Sequence, residues 1–562
     1  MNALRRLLAI LSLAALTAGC TPGVGASELE VGPTATPASK AAVTVTSLPL
    51  AQPAVCQNTY ISHTLPFSTG YRMREISTYA SNGAGLAIND LDGDGDLDIV
   101  FASVDRESVI LWNQGGLKFK EESLDDRFTR GVSIVDVDGD GRPDITFTHR
   151  GLQGVSYWRN TGPGGSGAVF EQADLPGVSY KAYAMGWADL NQDGRLDLVT
   201  GSYNVDLKQS GLDQAGLDQS AGVVVYLQHD GQFTPTRLDT KAETLSVGLF
   251  DLNGDRRPDI LAANDFAVPD GTWINTGTAW EAARPFRVTS HSAMSIDWGD
   301  LDNNGQLSVY TTDMNPGTTD PRVLAAWLPV TSKLEEKHGP SDPQIMANVL
   351  EVSVANGSWQ NQAPRRGIDA TGWSWSARFG DLNNDGYLDL YVTNGMIATN
   401  LFSFLKDYEL VEDNQAFRND GKGGFASAPE WNLASTASGR GMLMADLNND
   451  GKLDVVVNNL RGSAELFENS LCSGGTGLEV DLLWPGSGNT RAIGAQLELH
   501  TSLGTLRRDV RASGGYLSGD PQRIHFGLPD GAQAQSLLIT YPDGAQADIS
   551  GLSSQNLYTI TR

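Results

Sequence analysis

The chain has 562 residues and a formal charge of −27, from 40 Lys and Arg against 67 Asp and Glu. That length exceeds one small core and calls for several domains or a repeat array. The charge leaves no basic stripe for phosphates and excludes nucleic-acid binding, while 40% hydrophobic residues and 63 glycines exclude a disordered chain and favour a turn-rich β protein.

Residues 1–20, "MNALRRLLAILSLAALTAGC", read as an export signal. Arg5 and Arg6 precede an apolar run from Leu7 to Leu16, and small residues follow. The run is too short to span a bilayer. Its ending, "LTAGC", has the form of a bacterial lipobox with Cys20 as the lipidated residue. Cleavage after Ala26, releasing a secreted protein, is the alternative. Either way the protein is expected outside the cytoplasm, touching membrane through a lipid anchor only. Residues 21–55, rich in Pro, Ala, Thr and Ser, read as a flexible linker. Past Cys20 only Cys56 and Cys472 remain. In an oxidising compartment they are a candidate disulfide, with two unpaired thiols as the alternative.

From residue 90 an acidic nonapeptide recurs seven times. The copies are "DLDGDGDLD" (Asp90, Asp92, Asp94, Asp98), "DVDGDGRPD" (Asp136, Asp138, Asp140, Asp144), "DLNQDGRLD" (Asp189, Asn191, Asp193, Asp197) and "DLNGDRRPD" (Asp251, Asn253, Asp255, Asp259). Then come "DLDNNGQLS" at 300, "DLNNDGYLD" (Asp381, Asn383, Asp385, Asp389) and "DLNNDGKLD" (Asp446, Asn448, Asp450, Asp454). Each follows a short apolar stretch and nearly all precede another, so each is the turn of a β-hairpin. Oxygen donors at positions 1, 3, 5 and 9 with glycine at 6 suit one hard cation, and calcium takes six to eight oxygens. The copies are no EF-hands, because strands flank them and Phe101 stands where a bidentate Glu would be needed. The fourth copy has Arg256 in place of the glycine, which predicts a strained turn. The fifth has Asn304 at position 5 and Ser308 at position 9, which predicts a weak or empty site. Five to six Ca2+ ions are therefore expected. The loops hold 23 of the 67 acidic residues, so much of the charge is expected to be ligand charge.

Further strands close each unit, often on an Asn-x-Gly turn as in "VILWNQGG", "VSYWRNTG" and "GTWINTG". Four strands per unit and seven units predict an all-β chain with a seven-bladed propeller over 56–475. Cys56 and Cys472 would tie that ring shut. Residues 476–562 read as a small β domain of strands separated by glycine-rich turns.

The acidic hairpins resemble the FG-GAP or VCBS repeats of integrin α-chain propellers and bacterial surface proteins. More narrowly, "ATGWSWSARFGDLNNDGYLDLYVTNG" and "GNTRAIGAQLELH…GYLSGDPQRIHFGL…ITYPDGAQADISGL" resemble the ASPIC/UnbV family, which includes cartilage acidic proteins. That resemblance implies a propeller followed by a small β domain. The chain has "FGLPDG" and "TYPDG" where the family pattern is "FGLG" and "WPDG".

If the acidic turns join the innermost strand of each blade to the second, they share one face. The longest insertions, 201–222, about 311–347 and about 395–414, then fall on the opposite rim as a candidate partner site. Tyr203, Trp327, Phe402, Phe404 and Tyr408 are its aromatic anchors; packing within their own loops is the alternative. Trp373 and Trp375 are assigned to the sixth blade's core or the channel lining. No HExxH, CxxC, GxSxG or P-loop motif is present. The expectation is a monomeric calcium-binding module for a protein or glycan at the cell surface, not an enzyme. A polysaccharide hydrolase or lyase and a passive envelope scaffold are the alternatives.

Overall fold

The structure is a computed structural model that describes residues 39–562 apart from 53, 71–75, 77–79, 163–167, 267, 335–341, 355, 356 and 473. The export signal and Cys20 lie outside the described residues.

Seven antiparallel sheets follow one another along the chain, over 86–127, 129–173, 184–239, 244–283, 296–361, 372–427 and 439–470; all have four strands except the sixth, where Met314–Asn315 adds a fifth beside Gly372–Gly380. The first shows why the sequence does this. Leu86–Asn89 and Asp98–Phe101 are wholly buried apolar strands joined by the first acidic turn, and Glu107–Asn113 and Phe119–Arg127 complete the sheet outward. Strands buried on both faces read as continuous apolar runs, and "LAIN" and "DIVF" are such runs. The innermost strands touch in chain order, and the seventh touches the first, so the sheets close as the blades of a propeller.

The seventh sheet takes its outermost strand from the other end of the propeller. Thr59–Thr64 pairs antiparallel with Glu465–Ser470. Beside it Cys56 and Cys472 form a disulfide across 416 residues, so covalent and hydrogen-bonded closures lie together.

The C-terminal domain has two four-stranded sheets whose inward residues, among them Leu478, Val480, Leu497 and Leu537, share one core. That core runs on into Trp187, Leu198 and Tyr226 of the third blade. One expectation is corrected here. Thr44–Pro49, read as flexible linker, is an edge strand of this domain, paired along its length with Asn556–Thr561. Its side chains are all exposed, so no hydrophobic alternation marks it in the sequence; its backbone pairing alone holds it.

Candidate functional site

All seven acidic turns join a blade's innermost strand to its second, so they ring one mouth of the propeller. Their internal bonding is repetitive. In the first, both oxygens of Asp90 accept backbone N–H groups, from Gly93 (2.8 Å) and Gly95 (3.1 Å). Asp98 accepts from Leu91 at 3.1 Å and from Asn113 at 2.8 Å, which ties the turn to the third strand. The same pair of roles falls to Asp189 and Asp197, and to Asp446 and Asp454. The turn needs left-handed backbone at position 6, where Gly95 has φ 96° and Arg256 is held at φ 67°. Arg256 keeps the bond its glycine counterparts make, donating its N–H to Asp251 at 2.7 Å.

Two side-chain rings knit the turns together. In six blades a closing amide reaches back to the neighbouring turn: Asn113 donates to Leu447 O (2.8 Å), Asn160 to Leu91 O (3.1 Å), Gln228 to Val137 O (2.9 Å), Asn275 to Leu190 O (2.7 Å), Asn419 to Leu301 O (2.8 Å) and Asn469 to Leu382 O (2.9 Å). Position 4 reaches forward, as when Asn384 donates to Gly451 O at 2.9 Å and Asn449 to Asp96 at 2.6 Å.

The turns differ in what neutralises their carboxylates. In the first two, an oxygen from each of Asp90, Asp92 and Asp98, and likewise from Asp136, Asp138 and Asp144, lies within 4.8 Å of the others. Burial, with the neighbouring carboxylates adding, pushes Asp98 up to about 8 and Asp144, Asp197 and Asp259 up to about 7. Asp389 and Asp454 are raised well above the carboxylate range for the same reason. A buried cluster of like charge that resists ionisation is what a cation would relieve. The donor sets of these six turns fit a hard divalent ion. Some of their acids also meet arginines: Arg159 meets Asp138 at 2.5 Å, and Arg142 and Arg257 fold back on Asp140 and Asp255 of their own turns; these three side chains are 44%, 32% and 29% exposed, unlike the buried Arg366 of the fifth turn.

The fifth turn does not fit. Arg366, whose side chain is 1% exposed, forks onto Asp302 at 2.8 and 2.6 Å. Arg507 of the C-terminal domain donates to Asp300 at 3.1 Å. With Ser308 at position 9, both acids of this turn are already held by guanidinium groups.

The C-terminal domain sits against this face and leaves parts of the turns exposed. Thr490 donates to Asp136, Asn489 N–H to Gly194 O at 2.7 Å, and Arg523 to Gly95 O at 3.2 Å. From it the segment 511–523, "RASGGYLSGDPQR", enters the channel. Ser133 and Ser246 of inner strands donate to the carbonyls of Ala512 (2.9 Å) and Gly515 (2.7 Å), and Gly519 N–H bonds Leu86 O at 3.0 Å. Arg378 pairs with Asp520, and Arg511 reaches Asp297 at 2.8 Å. At the tip Tyr516 is fully buried, 5.3 Å from the Trp375 ring, and its hydroxyl donates to Asn82 O (2.8 Å) near the far mouth. The fit requires glycine: a Cβ on Gly85 would lie 1.7 Å from Leu517 O. Trp375 is thus channel lining, as expected. The plug lies within the stretch that resembles the ASPIC/UnbV family, but nothing in that motif announces its entry into the channel; its local signal is the density of small residues around one tyrosine.

The insertions do gather on the opposite rim, but three of the five proposed anchors are corrected. Tyr203, Trp327 and Phe402 are buried. Trp327 and Phe402 pack on Trp373 at 5.5 and 5.7 Å, and Trp327 donates to Glu412 at 3.1 Å. Tyr203 lies 5.0 Å from Tyr183 and donates to Asp265 at 2.7 Å. Long insertions need a core of their own, and these aromatics supply it. Phe404 and Tyr408 remain exposed, at 49% and 44%.

The FG-GAP-like repeat model matches residues 90–147, 136–200, 251–311, 347–392 and 404–457, and the ASPIC and UnbV model matches 486–562. No curated protein matches. Among solved structures, an Agrocybe aegerita lectin recognising non-reducing terminal N-acetylglucosamine is 15% identical over 66% of this chain and 88% of its own, with a TM-score of 0.38. BBS1N in complex with ARL6DN is 11% identical over 74% and 97%, with a TM-score of 0.40. The Photorhabdus luminescens Tc holotoxin pore is 14% identical over 81% and 16%, with a TM-score of 0.31. Likeness at that level carries no argument about binding. The repeats and the terminal domain do: the chain belongs to the proteins that join FG-GAP-like repeats to a C-terminal ASPIC and UnbV domain.

Proposed function

We propose that the chain is a calcium-stabilised, extracytoplasmic binding module that offers the rim of its insertions to a protein or glycan. What carries this reading is the division of labour between the two faces. The C-terminal domain sits against the acidic face, whose six fitting turns have the oxygen donors a structural Ca2+ takes. The opposite rim carries the long insertions, a buried aromatic platform beneath them, and Phe404 and Tyr408 at the surface. Exposed aromatics on a rigid rim are what binding surfaces draw their energy from.

The test is binding of the calcium-loaded protein to a glycan and protein array, beside the double variant Phe404→Ala, Tyr408→Ala. The reading requires a ligand whose binding falls at least tenfold in the variant, about 1.4 kcal/mol. A ligand bound equally by both forms would move the site off this rim. For location, Cys20→Ser should release the protein from the membrane fraction; retention there would contradict lipid anchoring.

A further inference from the structure

The ring of closing amides, Asn in five blades and Gln228 in the third, is broken at one seam. In the fifth blade the residue equivalent to Asn113 is Ser353, one place beyond the partner of Ser308. Its side chain is too short to span to the fourth blade's turn as Asn275 spans to Leu190. At this seam, between the fourth and fifth turns and the strand Gly504–Asp509, lies a cavity of about 550 Å3 whose lining includes Leu252, Ser353, six arginines (Arg256, Arg378, Arg507, Arg508, Arg511 and Arg523) and five carboxylates, Asp251, Asp300, Asp381, Asp509 and Asp520. That volume lies in the range of small-molecule sites, which favour domain boundaries.

Four of these arginines are paired. Arg378 and Arg511 hold Asp297 and Asp520, Arg507 holds Asp300, and Arg523 holds Asp481. Arg508 is different. Its Nη1 donates only to Arg507 O at 2.8 Å, and its buried Nη2 has no hydrogen-bond partner among the described residues. Its aromatic neighbour, the Phe526 ring 5.6 Å away, supplies no acceptor. Burial lowers its affinity for the proton, with Arg511 adding to this and the charges of Asp381, Asp300 and Asp509 opposing it. A buried guanidinium edge without an acceptor is costly, and here it lines an open space beside the apolar Trp298, Trp359 and Phe379.

We propose that this interdomain cavity binds a small organic oxyanion, a carboxylate or phosphate ester, with Arg508 as its anchoring cation and Arg256 at the fourth turn as a second. The apolar wall would take the ligand's uncharged part. Because it spans both domains, the ligand would also stabilise their docking. The inference is independent of the rim assignment, but Asp251 and Asp381 of the fourth and sixth turns also line the cavity, so it rests on calcium taking up their charge.

The test uses the full calcium-loaded chain and isothermal titration with glucuronate, glucose 6-phosphate and neutral glucose, which separates carboxylate, phosphate and uncharged arms. At least one charged sugar should bind and glucose should not. Arg508→Met should weaken that binding at least tenfold, the order expected for loss of one charge-assisted pair, while Arg508→Lys should recover part of it. Ser353→Asn, which narrows the cavity without touching its charge, should also weaken binding, and it stands in if Arg508→Met does not fold. Absence of binding by both charged sugars, or binding unchanged in Arg508→Met and Ser353→Asn, would overturn the proposal.

Discussion

The first and fifth acidic turns have the same backbone and opposite solutions to the same problem. In both, the position-1 carboxylate accepts the N–H of the position-6 glycine, Gly95 to Asp90 at 3.1 Å and Gly305 to Asp300 at 2.7 Å. The first then gathers Asp90, Asp92 and Asp98 with no cationic side chain forked onto them among the described residues; the fifth has lost position 9 and meets Arg366 and Arg507 instead. The fold of the turn is therefore set by carboxylate-to-backbone bonds, and the metal is a separate matter, decided by which positive charge the surroundings supply. Arg507 comes from the C-terminal domain, so at this one turn a contact between domains supplies the positive charge.

That contrast can be broken in several ways, and the largest effect should come from removing calcium altogether. At a thousandfold excess over Kd each ion adds about 4 kcal/mol. EDTA should therefore lower the melting temperature by more than about 10 °C, read by calorimetry; an unchanged melt would remove the metal from the account. Next in size is Asp302→Ala, which strands the buried Arg366 and should cost roughly 3 kcal/mol with or without calcium. Asp92→Ala in the first turn should behave oppositely, costing about 1–3 kcal/mol in calcium and almost nothing in EDTA. If both variants showed the same calcium dependence, the two turns would not differ as described. The smallest effect belongs to the fourth turn. Arg256→Gly should raise stability by about 1 kcal/mol, because a side chain no longer has to adopt left-handed backbone.

Much of this was legible in the sequence. The nonapeptide fixes the hairpins because its position-1 carboxylate accepts the position-6 N–H in every copy, and the closing Asn-x-Gly appears for the same reason: Asn113 both donates its N–H to Asp98 of its own turn and clamps the preceding blade's turn. The weakness of the fifth turn showed in Ser308 and Asn304. What cannot be read locally is long-range. Arg366 lies 64 residues from Asp302 and Arg507 lies 207 from Asp300, and neither stands in a motif. The closing strand "TYISHT" and the edge strand Thr44–Pro49 are too short and too polar to declare their partners. Tyr203, Trp327 and Phe402 were placed on the right rim but on the wrong side of its surface, since sequence gives the position of a large insertion and not whether its aromatics turn inward.

The central claim, that six turns hold calcium and the fifth holds arginines instead, is tested most directly by counting ions. Native mass spectrometry of the calcium-loaded protein should give six per chain, five for Asp92→Ala, and six still for Asp302→Ala. Seven ions in the unaltered protein, or loss of one in Asp302→Ala, would contradict it.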